Sequence, residues 1–74
     1  MQVKVKLFAT FRKGRFKEAV FEYPEGTRVR DVIEELKIPL KELGIVFING
    51  KDASLDAELK EGDVLSIFPL VGGG

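Results

Sequence analysis

Few side chains in this protein are equipped for chemistry. None of its 74 residues is cysteine and none is histidine. The first absence removes disulfides, thiolate metal sites, and any cysteine that could act as nucleophile or carry sulfur. The second removes the commonest general base, the commonest metal ligand and every Ser-His or Cys-His arrangement. Neither a metal site nor independent catalysis is expected. The group left is the end of the chain, Phe68-Pro69-Leu70-Val71-Gly72-Gly73-Gly74. An apolar strand runs into a proline, which has no N–H with which to continue a ladder. Three glycines follow, with no side chains and the largest ordering entropy of any residue. Residues 71–74 are therefore expected to form a flexible tail, reaching roughly 13 Å past the last paired residue when extended. The candidate reactive group is the α-carboxylate of Gly74, with Gly72 and Gly73 thin enough to thread a narrow site on another protein. Glycines are common at frayed ends, but these follow a strand directly, with no polar linker between.

The remaining residues, 1–70, must then be a handle for that carboxylate. They suffice for one small domain, and a hydrophobic content of 45% supports a core. The apolar runs are too short to span a bilayer, and the start lacks a signal-peptide pattern. A soluble cytoplasmic protein with no membrane partner is expected. Twelve basic and twelve acidic residues cancel, but they are segregated. Residues 1–30 hold eight Lys/Arg against three Glu, a net +5, and residues 31–74 hold four Lys against nine Asp/Glu, a net −5. Such a field orients a partner and argues against general nucleic-acid affinity. One Asn, one Gln and one Met, with 32% charged residues, lean toward a thermophilic source.

Strict alternation over residues 2–9 predicts a strand with Val3, Val5, Leu7 and Ala9 inward and Phe8 out of place on the lysine face. Residues 10–15 read as a hairpin loop with Gly14 at positive φ. The cluster Arg12, Lys13, Arg15 and Lys17 there reads as a solvated loop tip. Residues 16–23 form a second strand in which Val20 breaks the pattern and marks a bulge. After the Pro24-Glu25-Gly26 turn, Thr27 is the expected cap of a helix over 28–37, with Val29, Val32, Ile33 and Leu36 inward and Pro39 closing it. A third strand over 45–48 meets Asn49-Gly50, the strongest hairpin signal in the chain. Leu55 and Leu59 mark a turn over one end of the core. Glu61-Gly62-Asp63 turns into a last strand, 64–70, with Leu65 and Ile67 inward. This order predicts an α+β fold, a mixed sheet of four or five strands packed by one main helix. With the first and last strands side by side, Phe8, Phe47 and Phe68 share the uncovered face, and together with Leu70 they are the candidate docking residues.

The hairpin–helix order, Phe47-Ile48-Asn49-Gly50, Leu59-Lys60-Glu61-Gly62-Asp63-Val64, Ile67-Phe68-Pro69 and the glycine end resemble the MoaD/ThiS family over essentially the whole chain. The resemblance implies a ubiquitin-like β-grasp fold and a sulfur carrier that is not itself an enzyme. It implies that a ubiquitin-activating-enzyme-like protein of MoeB/ThiF type adenylates the Gly74 carboxylate using ATP, with no cofactor bound to the carrier. The adenylate becomes a thiocarboxylate whose sulfur passes to a synthase, and a MoaE-type larger subunit is the implied partner. The Phe-Pro strand and the long first hairpin favour the molybdopterin branch. Thiamine-pathway carriers, tRNA-thiolation carriers and ubiquitin-like modifiers joined to lysines share the same pattern.

Overall fold

The computed structural model describes residues 1–70, so the expected tail, with Gly72, Gly73 and Gly74, lies outside the described residues. The elements are β1 (Gln2–Leu7), β2 (Glu18–Glu22), α1 (Val29–Glu35), β3 (Leu43–Ile48), β4 (Lys51–Asp52) and β5 (Val64–Pro69). They build one mixed sheet in the order β2-β1-β5-β3-β4. Its centre is the parallel pair β1 and β5, in the register Val5 opposite Leu65 and Leu7 opposite Ile67. Alternation puts Val3, Val5, Leu7, Leu65 and Ile67 on one face, all fully buried against Val29, Val32 and Ile33 of the helix. Burying each such side chain contributes about 1.5–3 kcal/mol. Among the described residues, the sheet's other face carries no helix.

The helix is shorter than its periodicity predicts, and Thr27 does not cap it. Thr27 is buried, and its hydroxyl donates to the Pro24 carbonyl at 2.7 Å. The cap position falls to Arg28, whose backbone N–H donates to the Asp31 carboxylate at 2.8 Å. The next two amides find carbonyls outside the helix, Val29 on Ala57 and Arg30 on Leu55. The 53–60 segment thus satisfies donors that a helix start leaves open. Arg30 fixes the same segment by donating from two nitrogens to Asp56 Oδ1. At the other end Lys37 turns at φ 59°, and Arg15 reaches across to donate to the carbonyls of Leu36 and Lys37. One member of the basic cluster is therefore a helix C-terminal cap, where a cation also complements the dipole.

Three further expectations change. β1 ends at Leu7, because Ala9 takes φ 51° and opens a short 3-10 turn, leaving Ala9 exposed instead of in the core. That turn sends Phe11 inward to 2% exposure, making a residue that reads as loop part of the core. Val20 marks no bulge: the β1–β2 register runs unbroken from Gln2 opposite Glu22 to Lys6 opposite Glu18, and Val20 sits opposite Lys4. The sheet's irregularity lies instead between Leu43 and Ile45, against β5. The Asn49-Gly50 hairpin is as predicted, with φ 52° and 80°, the two positive values a type I′ turn needs. Asn49 Oδ1 also accepts the Val64 N–H at 2.9 Å, joining the hairpin to the start of β5.

Phe11 supplies the first prediction. Phe11→Ala should destabilise the domain by about 3–5 kcal/mol, a large share of the roughly 5 kcal/mol available to a domain this small. Urea titration followed by circular dichroism measures it. A loss under about 1 kcal/mol, the usual cost of an ordinary surface change, would contradict the core assignment. The buried Tyr23 closes the far end of the core by donating to Glu35 Oε1 at 2.9 Å. Burial first, then that hydrogen bond and the carboxylate's charge, push the phenol pKa above its ordinary value.

Candidate docking face and tail root

The same alternation that buries the odd positions of β1 and β5 turns Phe8, Phe47 and Phe68 to the open face. Phe8 follows β1 in extended conformation, φ −126° and ψ 152°. Its ring stacks on Phe68 with centroids 4.1 Å apart and planes at 11°. Phe47 meets Phe68 edge-on at 5.7 Å and 80°. Such pairs add about 0.5–1.5 kcal/mol beyond their buried area, so the three rings form one rigid cluster with Phe68 at its centre. All three stay partly exposed. Leu70, the last described residue, is 59% exposed at the margin of the cluster.

Two further residues, Ile45 and Arg12, belong to this face. Ile45 lies opposite Phe68 and is 42% exposed; period-2 counting outward from Phe47 gives it, once β3 is extended to Leu43. Arg12 reads from the sequence as part of a solvated loop tip. Its Nε donates to the Leu7 carbonyl at 2.7 Å, and its guanidinium stands 5.2 Å from the Phe8 ring centroid, close enough for a cation–π contact. No short-range pattern announces it, because the placement depends on the turn at Ala9. Ala9, Gly44, Ile45, Phe68, Pro69 and Leu70 line an apolar groove of about 350 Å³ at the point where the chain leaves β5.

Gly44 governs that exit. A Cβ there would stand 2.7 Å from the carbonyl carbon of Pro69 and 2.9 Å from the amide of Leu70, too close for any side chain. The missing side chain lets β3 close on β5, and the Leu70 N–H then donates to the Glu42 carbonyl at 2.8 Å. Gly44→Ala should part the two backbones and cost about 1–3 kcal/mol, with the largest amide chemical-shift changes at Glu42 and Leu70. Wild-type melting and unchanged shifts at those two amides would refute the close-approach account.

Among the described residues no group of three or more His, Cys, Asp or Glu is placed to hold a metal ion. Nor is any helix long and apolar enough to cross a membrane. What the face offers is a fixed apolar surface directly beside the root of the chain's end.

The ThiS family profile matches residues 5–74. The chain belongs to the ThiS family. This ThiS-family chain is 42% identical to a Pyrococcus furiosus protein assigned as molybdopterin converting factor subunit 1, over 93% of the chain and 97% of that protein, with a TM-score of 0.75. Subunit 1 of the molybdopterin-converting factor of Helicobacter pylori, solved in complex with subunit 2, matches over all of both chains at 27% identity and a TM-score of 0.68. SAMP1 of Haloferax volcanii also aligns over all of both chains, with a TM-score of 0.77; at 24% identity it bears on the fold alone. The five-stranded mixed sheet with one helix is therefore a ubiquitin-like β-grasp. The chain is a member of the MoaD/ThiS group of small sulfur carriers.

Proposed function

We propose that this chain carries sulfur as a thiocarboxylate on Gly74 and delivers it for the synthesis of molybdopterin. The observation that carries the reading is adjacency: the chain leaves β5 at Leu70 beside the stacked rings of Phe8, Phe47 and Phe68. A partner holding that face receives the tail at a defined place. The reaction follows from the chemistry of a carboxylate. Ionised at pH 7, it repels nucleophiles and has no adequate leaving group. In the first step a carboxylate oxygen of Gly74 attacks the α-phosphorus of ATP on an adenylating enzyme of MoeB/ThiF type, and pyrophosphate leaves. In the second, sulfide-level sulfur (HS⁻) from a donor attacks the acyl carbon, the bond to the phosphate oxygen breaks, AMP leaves, and loss of the proton gives the thiocarboxylate. That group is itself nucleophilic, so the carrier needs no cysteine, in keeping with a sequence that has none.

The molybdopterin branch draws its support from the Pyrococcus furiosus and Helicobacter pylori similarities. The second is the ground for proposing a larger, MoaE-type subunit as the acceptor that threads Gly72 and Gly73. Ubiquitin-like conjugation to lysines uses the same terminus, so the test must separate the two. Incubation with an adenylating enzyme, ATP and radiolabelled pyrophosphate should give label exchange that depends on this chain. The sulfurated carrier with the larger subunit should then convert the sulfur-free precursor to molybdopterin. Exchange without conversion, accompanied by lysine-linked adducts, would overturn the sulfur-delivery reading in favour of a modifier.

A further inference from the structure

We propose that, in the absence of a partner, a second copy of this chain covers the open face, through a twofold contact centred on the aromatic cluster. The charge segregation of the sequence gives the argument. In the sheet order β2-β1-β5-β3-β4, the strands from the basic first thirty residues lie on one side of β5, and those from the acidic remainder lie on the other.

On the open face this reduces to one row of residues. Register places Lys6 opposite Ser66, Ser66 opposite Phe47, and Phe47 opposite Asp52, so all four side chains share a face. Lys6 and Asp52 thus stand on opposite flanks of the apolar centre, separated by three strand spacings, roughly 14 Å. Neither makes an ion pair among the described residues, whereas Glu18, further along the row, is taken by Lys4 at 3.7 Å. A twofold axis running along the strands, between β5 and β3, lays Lys6 of each copy over Asp52 of the other. It lays Phe68 of each over Ile45 of the other, and Ser66 of each over Phe47 of the other. A face that carries its own complement under a twofold meets the requirement of an isologous dimer. The net charge of zero adds no overall repulsion.

Two copies joined in this way bury the rings that the carrier reading gives to a partner. That consequence rests on the carrier reading; the dimer does not. Free carrier would be held with its docking face closed, and a partner of higher affinity would exchange one copy for itself.

Sedimentation equilibrium on the full chain, across a concentration series at low salt, tests the proposal. Wild type should pass from monomer to dimer, with the midpoint rising as salt is added. Lys6→Asp and Asp52→Lys each set like charges against one another twice, and each should weaken the dimer at least about tenfold. The double variant should return to within a few-fold of wild type, and Phe68→Lys should be monomeric. Circular dichroism verifies that every variant is folded. A monomer at all concentrations, or a dimer indifferent to the two charge changes, would overturn the proposal. Sulfuration of Gly74 is read separately by mass, so either idea can fail without the other.

Discussion

Deleting Gly74 should leave a protein that folds and melts as the full chain does and accepts no sulfur. The fold is expected to be unaffected because, among the described residues, every fully buried side chain lies between Val3 and Ile67. The chemistry fails for reasons of reach. Removing one residue draws the carboxylate back by roughly 3.5 Å, and a displacement of only about 1 Å from reacting geometry costs on the order of 100-fold in rate. Adding one residue after Gly74 should fail equally, since it moves the terminal carboxylate off Gly74 and pushes it past the α-phosphate. Adenylate-dependent pyrophosphate exchange with both variants measures the effect, and the expected result is background for each. Exchange near the wild-type rate in either would show that the reaction does not depend on a carboxylate placed at Gly74.

The second large effect belongs to Phe68. Its ring contacts both Phe8 and Phe47, so one substitution dismantles the cluster. Phe68→Lys also sets a charge where a partner must exclude water. Loss of a central aromatic anchor costs about 2–4 kcal/mol, or roughly 30- to 1,000-fold in affinity. Calorimetric titration against the larger synthase subunit should show that loss. The fold should tolerate the change, because Phe68 faces outward and the core contacts of β5 come from Leu65 and Ile67. A protein that folds normally and binds with wild-type affinity would remove the aromatic face from the account. Binding that disappears with Phe68→Lys but survives removal of residues 72–74 assigns docking to the face, and leaves chemistry at the tail to the exchange assay.

The parts of this structure legible in the sequence are those set by local periodicity. Alternation in β1 and β5 gives both the buried row Val3, Val5, Leu7, Leu65 and Ile67 and the opposite placement of Phe8 and Phe68. The i, i+3, i+4 spacing gives the inward face of α1, and Asn49-Gly50 gives the hairpin. The misreadings have other causes, some local and some distant along the chain. Thr27 looks like a cap because its hydroxyl can accept an amide, but the turn at Pro24 takes that hydroxyl as a donor. Arg15 looks solvated because its partners, the carbonyls of Leu36 and Lys37, lie 21 and 22 residues away. Phe11 reads as loop because Ala9 leaves the strand at positive φ, which few alanines do. Gly44 reads as the residue before a strand, and its importance emerges only when Pro69 lies against it. For Arg15 and Gly44 a contact distant along the chain decides, and no short window holds both partners; for Thr27 and Phe11 the cause is local, a competing carbonyl three residues back and a backbone angle that alanine rarely takes.

Intact mass spectrometry decides whether sulfur is carried on the carboxylate of Gly74. The protein is incubated with ATP, an adenylating enzyme shown active on another carrier, and a sulfur donor. The expected result is a gain equal to the exchange of one oxygen for sulfur, with fragmentation placing it on Gly74. An unchanged mass, or a sulfur located anywhere else, would contradict it and leave a β-grasp interaction module whose terminus does no chemistry.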